Sequence, residues 1–240
     1  MRRLLFILFP LLCFMSTCED PNQIRVLVFS KTEANRHESI SKGKKTLWLL
    51  GWRNKWKVDT LEDASVFTPE KLARYRAVVF LNTTGDVLNE AQQEAFENYI
   101  RAGGGFMGIH SAADTEYDWP WYGKLVGAYF ENHPEIQRAW IQLEDDTHLA
   151  TSHLPDRWQR EDEWYNYKNI QPNLKLLLSL DESSYAGGTN GEVHPLSWYQ
   201  EYDGGRSFYT GGGHTIGSYD EPLFVLHLLG GLKYALGLEE

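Results

Sequence analysis

The sequence predicts a single α/β domain whose open, doubly wound sheet is mostly parallel. Short runs rich in aliphatic and β-branched residues, such as IRVLVFS at residues 24–30 and AVVFL at residues 77–81, have the composition of strands buried on both faces. These runs alternate with segments of helical periodicity, which favours a parallel sheet covered by helices. The chain has 240 residues, 42% of them hydrophobic, which is enough for one sizeable core and too little for two ordinary domains.

The first half of the domain is expected to follow a β-α-β-β-α-β order. The predicted elements are a strand at residues 24–30, a helix at 39–50, strands at 57–60 and 77–81, a helix at 89–102 and a strand at 106–109. The second helix has the clearest signals, because Asn89 and Gln92 suit its N-cap and N3 positions and three glycines at 103–105 would end it.

The second half of the domain has weaker signals. Residues 119–164 are rich in aromatic residues and predict loop-rich insertions with one strand at 136–143. Further strands are expected at 175–180, 196–201 and 206–210, and Asp203-Gly204-Gly205 favours a hairpin between the last two. A core helix at 222–236 closes the predicted fold.

Charge and cysteine content exclude several functions. The formal net charge of −10 makes nucleic acid an unfavourable partner, because its phosphates would be repelled. Both cysteines lie within the first 18 residues, so the domain that follows has no thiol nucleophile, no disulfide and no cysteine zinc site.

The N-terminus has the layout of a targeting segment. Arg2 and Arg3 precede an apolar run at residues 4–14 that is too short to span a bilayer, as in a secretory signal. We expect a signal peptide at residues 1–17, a short tether at 18–23 and the α/β domain at 24–240. Met15-Ser16-Thr17-Cys18 resembles a bacterial lipoprotein box in which Cys18 would be acylated.

The expected product is an exported periplasmic or outer-membrane lipoprotein of a Gram-negative bacterium, attached to the membrane only through its lipid anchor. Ordinary cleavage near Cys18, which would release a soluble periplasmic protein, is the alternative.

Three histidines follow predicted strands. His37 comes after the first strand and its loop, His110 directly follows the strand at 106–109, and His214 follows the strand at 206–210. Because the carboxyl ends of parallel strands meet at one edge of a sheet, we expect these imidazoles to share a cleft. Glycines just before His110 and His214 would permit close backbone approach. The alternative for each histidine is a ring that only bonds a loop carbonyl.

Acidic, hydroxyl and aromatic side chains could complete this cleft. We assign acid/base catalysis to His110, His214 and Glu163. The side chains expected to bind a substrate are His37, Glu38, Ser111, Asp114, Trp164 and Tyr165. Aromatic rings can stack on sugar faces, and packing beneath long loops is the alternative for them.

No motif demands a cofactor. A divalent metal held by His110, His214 and Glu163 is an open alternative, because these residues have metal-ligand chemistry but their spacings match no local motif such as HExxH.

Six segments carry a family resemblance: RHESI at residues 36–40, GGGFMGIHSAAD at 103–114, PWYGKLVGAYFENHP at 120–134, DEWY at 162–165, GRSFYTGGGH at 205–214 and HLLGGLKYALG at 227–237. Together they resemble the ThuA-like, trehalose-utilisation family over residues 24–238. The resemblance implies the fold of class I glutamine amidotransferases.

The resemblance also bears on the chemistry. Amidotransferases carry their nucleophile in a Gly-x-Cys-x-Gly turn, and the comparable turn here, at residues 108–112, has His110 in place of the cysteine. Thioester chemistry would therefore be lost. His214 falls where the amidotransferase catalytic histidine follows its strand, although Gly212-Gly213 replaces the family's usual Leu-Gly.

The resemblance implies a role in carbohydrate use, including disaccharides whose glucose unit has been oxidised to a 3-keto form. In the enzyme interpretation, the cleft acts on a glycoside or 3-keto-sugar, and hydrolysis, elimination and isomerisation stay open. In the alternative, the protein is a non-catalytic, periplasmic sugar-binding accessory lipoprotein. Both interpretations imply a small-molecule saccharide as the partner, and both are compatible with a homo-oligomer.

Overall fold

A nine-stranded mixed sheet forms the centre of the structure, a computed structural model that describes residues 22–238. The strands are β1 (Arg25–Phe29), β2 (Lys57–Leu61), β3 (Ala77–Leu81), β4 (Gly105–Ile109), β5 (Tyr129–Asn132), β6 (Gln137–Leu143), β7 (Arg157–Asp162), β8 (Asn166–Lys168), β9 (Lys175–Asp181), β10 (His194–Tyr202) and β11 (Gly205–Thr210). The helices are α1 (Ile40–Arg53), α2 (Pro69–Leu72), α3 (Glu90–Arg101), α4 (Pro120–Val126) and α5 (Pro222–Ala235). Strands β5 and β8 pair separately from the large sheet.

The strand order β2-β1-β3-β4-β11-β10-β9-β6-β7 divides the large sheet into two halves. The first five strands in this order are parallel. The remaining four continue the sheet in antiparallel fashion. The predicted α/β class is therefore confirmed, with an antiparallel extension added to the parallel part. The predicted hairpin joins β10 to β11 through Asp203 and Gly204, whose φ values of 48° and 93° are those of a tight two-residue turn.

Helices cover both faces of the sheet, as a doubly wound fold requires. In β1, Val26 and Val28 belong to one buried cluster with apolar residues of α1 and α5, while Leu27 and Phe29 belong to a second cluster with residues of α3 and α4. A strand that is buried on both faces has no reason to alternate polar with apolar residues. This explains why β1 reads as an almost continuous apolar run.

Helix α3 begins as its sequence predicts. The Asn89 side chain accepts a hydrogen bond from the Gln92 backbone N–H at 3.0 Å, and the Gln92 side chain accepts one from the Asn89 N–H at 2.9 Å. These reciprocal bonds satisfy two backbone donors that the helix itself cannot pair.

The region predicted to be mainly loops is more regular than expected. Within residues 119–164 the structure has α4, β5 and β7 in addition to the predicted β6. Strand β7 alternates exposed and buried positions, but its buried positions are Trp158, Arg160 and Asp162. Two of these three inward side chains are charged, so the alternation of apolar and polar residues that identifies a strand is masked.

The predicted signal peptide and Cys18 lie outside the described residues. Among residues 22–238, no helix has the length and apolar composition needed to cross a membrane.

Candidate functional site

Three histidines meet at the carboxyl ends of the parallel strands. The ring centroid of His37 is 4.9 Å from that of His110 and 5.0 Å from that of His214, and the centroids of His110 and His214 are 5.2 Å apart. They follow β1, β4 and β11, which lie close together in the parallel half of the sheet. The structure thus brings together the three imidazoles that the sequence places after strands.

His110 occupies a sharp turn between β4 and the short 3₁₀ turn that follows it. Its φ of 49° is in the left-handed region, which is uncommon for a residue with a side chain and is often found at functional sites. Its Nδ1 lies 2.9 Å from the Gly211 carbonyl oxygen. Because a carbonyl can only accept, Nδ1 donates in this contact, and Nε2 of the fully buried ring faces Glu163 and His214.

His214 is positioned by the peptide groups of Gly213. The Gly213 N–H donates to Asp162 Oδ2 at 2.9 Å, and its carbonyl accepts hydrogen bonds from Ser39 Oγ at 3.1 Å and Asn82 Nδ2 at 3.2 Å. The φ of Gly213 is 111°, a conformation that glycine adopts without strain. Three separate parts of the chain therefore fix the backbone immediately before His214.

The carboxylate of Glu163 lies among the histidines. Its Oε1 is 3.1 Å from His214 Nδ1 and 3.3 Å from His110 Nε2, and its Oε2 is 3.2 Å from His133 Nδ1. His214 Nδ1 and His110 Nε2 are themselves 3.2 Å apart. The Glu163 side chain is only 9% exposed, so water weakens these interactions little.

These contacts change the proton affinity of the cluster. Burial alone would raise the pKa of Glu163, but hydrogen bonds with His110 and His214 outweigh it and hold that pKa well below its usual range. Burial opposes the charged form of His214, yet the hydrogen bond and negative charge of Glu163 prevail and raise the pKa of His214. Burial, followed by the charges of His110 and His214, lowers the pKa of His37 to about 3. The cluster therefore combines a carboxylate with histidines of unequal basicity.

A cleft of about 460 Å³ opens onto this cluster, a volume within the range of small-molecule sites. Of the residues predicted to bind a substrate, His37, Glu38, Asp114 and Tyr165 line the cleft. Ser111 is buried beneath it, with its Oγ 3.4 Å from His37 Nδ1. The Tyr165 ring packs on His110, with the two centroids 4.2 Å apart.

Trp164 does not belong to the cleft, which corrects the expectation that it binds a substrate. Its side chain is fully buried in the cluster of apolar residues beneath α5, and its indole N–H donates to the Gln137 carbonyl at 2.9 Å. Neighbouring side chains in an extended segment point in opposite directions. Tyr165 therefore faces the cleft and Trp164 faces the core.

Sequence reasoning missed two residues that shape the site. His133 lines the cleft and contacts Glu163, although it was not among the predicted site residues. No local sequence pattern identifies His133. The strand before it, β5, is short and lies in the aromatic-rich region that was predicted to be mainly loops. Asn82 directly follows β3, as His110 follows β4, so its position after a parallel strand was an available signal.

The cluster has two chemical capabilities. Donor atoms of His37, His110, Glu163 and His214 all lie within 4.8 Å of one another, so this group could hold a metal ion. The same side chains can accept and deliver protons at the floor of an open cleft.

The chain matches the family model named ThuA and described as trehalose utilisation over residues 25–235. Among solved structures, a ThuA-like protein from Bacteroides uniformis is 23% identical with a TM-score of 0.76, and the match covers 91% of this chain and 94% of that chain. A ThuA-like protein from Parabacteroides merdae is 19% identical with a TM-score of 0.72, covering 90% and 91% of the two chains.

A β-galactosidase from Bacillus circulans is 15% identical with a TM-score of 0.59, and the match covers 90% of this chain but 31% of that one. At these identities the structural matches establish the fold alone. The comparison with curated proteins finds no significant match.

Proposed function

Because this chain belongs to the ThuA family, we propose that it serves carbohydrate metabolism by acting on a glycoside or 3-keto-sugar through acid/base chemistry in its histidine cleft. The family's description as trehalose utilisation supports the carbohydrate role. The observation that carries the chemical proposal is the meeting of buried His110 and of His214 on one carboxylate oxygen of Glu163, which lines the open cleft.

Amidotransferase activity is not part of the proposal, although the fold is class I glutamine amidotransferase-like. That reaction needs a cysteine to form a thioester. Here His110 occupies the sharp turn after β4, and the chain has no cysteine beyond Cys18. The turn is therefore used to present an imidazole instead of a thiol.

The proposed chemistry begins beside a carbonyl group. A ketone at C3 of a sugar acidifies the hydrogen on C2, so a base can remove that proton and leave an enolate. The C1–O bond can then break, with its electron pair passing to the leaving oxygen, which takes a proton from an acid. Histidines and a carboxylate are the groups that most often perform such transfers. Proton abstraction at this carbon is shared by elimination, isomerisation and hydrolysis through elimination.

The rest of the cleft has the composition of a saccharide site. Glu38 and Asp114 offer carboxylates to sugar hydroxyl groups, and the aromatic rings of Phe130 and Tyr165 offer apolar surface nearby. A few polar groups that fix orientation, together with aromatic walls, are typical of small-molecule pockets.

Turnover of a panel of natural and 3-keto disaccharides tests the proposal. We expect wild-type protein to consume one of them, and His110→Gln and His214→Ala to lose roughly 10²- to 10⁴-fold in rate, the usual contribution of acid/base residues. His153→Ala is the matched control, because His153 contacts the Leu223 carbonyl outside the cleft and should leave turnover unchanged. Calorimetry establishes that each variant is folded.

The same panel can overturn the enzyme proposal. If wild-type protein consumes no saccharide, with or without added divalent metal, but binds one reversibly, the protein is a sugar-binding accessory protein. Loss of binding in Asp114→Ala but not in His153→Ala would then assign that binding to the cleft.

Export as a periplasmic or outer-membrane lipoprotein is a separate proposal. It rests on the apolar run at residues 4–14 and on Cys18 at a lipoprotein-like cleavage site. Labelled palmitate should enter the wild-type protein and not Cys18→Ser. Equal labelling of the two proteins, or none in either, would contradict lipidation.

A further inference from the structure

Three atoms that can ligate a metal ion face one point in the cluster. The Nδ1 of His110 is hydrogen-bonded to the Gly211 carbonyl, and its Nε2 faces His214 Nδ1 and Glu163 Oε1. A carboxylate oxygen can only accept. Imidazole nitrogens and carboxylate oxygens are also transition-metal ligands, so an ion at this point would take the place of the protons that these three atoms otherwise share.

The distances between the three atoms are those of ligands around a small metal ion. His214 Nδ1 lies 3.1 Å from Glu163 Oε1 and 3.2 Å from His110 Nε2, and His110 Nε2 lies 3.3 Å from Glu163 Oε1. Zinc ligands lie about 2.0–2.2 Å from the ion in tetrahedral geometry, which puts neighbouring ligands roughly 3.4 Å apart. The triangle formed by His110, His214 and Glu163 is therefore close to one face of such a tetrahedron.

The surrounding contacts are those that metal ligands usually have. Metal-binding histidines commonly donate their second ring N–H to a carbonyl, and His110 does so to Gly211. The second oxygen of Glu163 lies 3.2 Å from His133 Nδ1, so this carboxylate is also held from outside the triangle. The backbone before His214 is fixed by Asp162 and its partners.

We propose that His110 Nε2, His214 Nδ1 and Glu163 Oε1 bind one divalent transition-metal ion, with zinc as the reference ion. Two imidazoles and a carboxylate favour such ions over magnesium or calcium, which prefer oxygen ligands. Two histidines and a glutamate also form the protein ligands of known catalytic zinc sites, which keep a fourth position open. The ring centroid of His37 is 4.9 Å from that of His110 and 5.0 Å from that of His214, so His37 lies next to this triangle of ligands.

The ion would take part in the reaction proposed for the cleft. Bound there, it would polarise a sugar oxygen at the open position. His110, His214 and Glu163 would then hold the ion, and the proton would be exchanged by His37 instead. This step rests on the proposed function, whereas the ion site itself rests only on the donor geometry.

Zinc binding to the full-length chain tests the site directly. After chelator treatment and reloading, wild-type protein should retain one zinc ion per chain, and a cobalt-loaded sample should show the visible absorption of a four- or five-coordinate site. Zinc at about 100 times its Kd should raise the Tm by roughly 5–10 °C. Magnesium and calcium should produce neither effect.

Variants assign the ion to these ligands. His214→Ala and Glu163→Gln should weaken zinc binding by more than about 100-fold, the upper range for loss of an outer contact alone. His153→Ala, another histidine variant but outside the cleft, should keep wild-type affinity. Because the His214 side chain is 25% exposed, His214→Ala is expected to fold, and calorimetry without zinc establishes it.

Two results would overturn the site: no zinc binding by the folded wild-type protein, or equal affinity in wild type and His214→Ala. A protein that binds zinc through these residues but consumes no saccharide would retain the metal site and lose the proposed reaction. Turnover that survives complete removal of metal would retain the reaction and show that the ion does not serve it.

Discussion

Asp162 connects the histidine cluster to the sheet although it contacts none of the three histidines. Its Oδ2 accepts hydrogen bonds from the Gly213 N–H at 2.9 Å and from Ser218 Oγ at 2.8 Å, and Arg160 lies 3.3 Å from the same oxygen. Both charged side chains are almost completely buried. A buried carboxylate with this many partners is costly to alter, because each partner loses an acceptor that water cannot replace.

Asp162→Asn should therefore destabilise the protein and displace His214. The amide places an N–H₂ group where a carboxylate oxygen accepted bonds, and it removes the buried one of the two carboxylates that pair with Arg160. We expect the free energy of unfolding to fall by about 3 kcal/mol in urea titrations, and the imidazole resonances of His214 to shift. Glu161→Gln is the control, because Glu161 is 60% exposed and pairs with exposed Arg138 at 3.4 Å. Its effect should stay below about 0.5 kcal/mol, and equal effects of the two changes would refute the role of Asp162.

At the scale of elements, the sequence predicted some strands and helices well and others not at all. Strands β1, β3, β4 and β11 and helices α1, α3 and α5 were predicted to within a few residues, because each has a composition or a cap that only one type of element explains. Strand β7 was not predicted. Its inward positions include Arg160 and Asp162, and these charged residues interrupt the apolar pattern on which strand prediction depends.

The candidate site likewise contains residues that the sequence could place and residues that it could not. The meeting of His37, His110 and His214 follows from their places after parallel strands, which a single sequence can reveal. Glu163 was included because acidic residues cluster around it, but its distance from the histidines depends on how β7 returns to them. Trp164 was misplaced because the direction of neighbouring side chains after β7 requires knowing where that strand ends. Their chemical roles stay predictions.

Over the whole molecule, the site depends on a contact between the last strand of the antiparallel half of the sheet and a loop of the parallel half. Strand β7 is last in the strand order and four places from β11, yet Asp162 at its end bonds the loop that follows β11. The end of β7 and the loop that follows β11 therefore approach each other across the antiparallel half of the sheet. Arg160 reinforces this closure, because its Nε donates to Glu221 at the start of α5 at 2.6 Å. The parallel half thus supplies the histidines, and the antiparallel half supplies the carboxylate.

A buried histidine away from the cleft should make the stability of the whole fold depend on pH. His227 of α5 donates from Nδ1 to the Ala150 carbonyl at 2.8 Å, lies 3.2 Å from Thr210 Oγ1, and its pKa is lowered by burial to about 3. Above pH 6.5 it is neutral in both folded and unfolded chains. Below that pH only the unfolded chain takes up the proton, so this residue lowers the free energy of unfolding by about 1.4 kcal/mol per pH unit down to about pH 3.

Urea titrations between pH 6.5 and 4 test this role of His227. The His227→Gln variant should be less stable at neutral pH, but the slope of its free energy of unfolding against pH should be smaller by that amount. Thr210→Val, which removes a hydrogen-bond partner and keeps the imidazole, should lose stability and keep the wild-type slope. A wild-type slope in His227→Gln would show that His227 does not set this pH dependence.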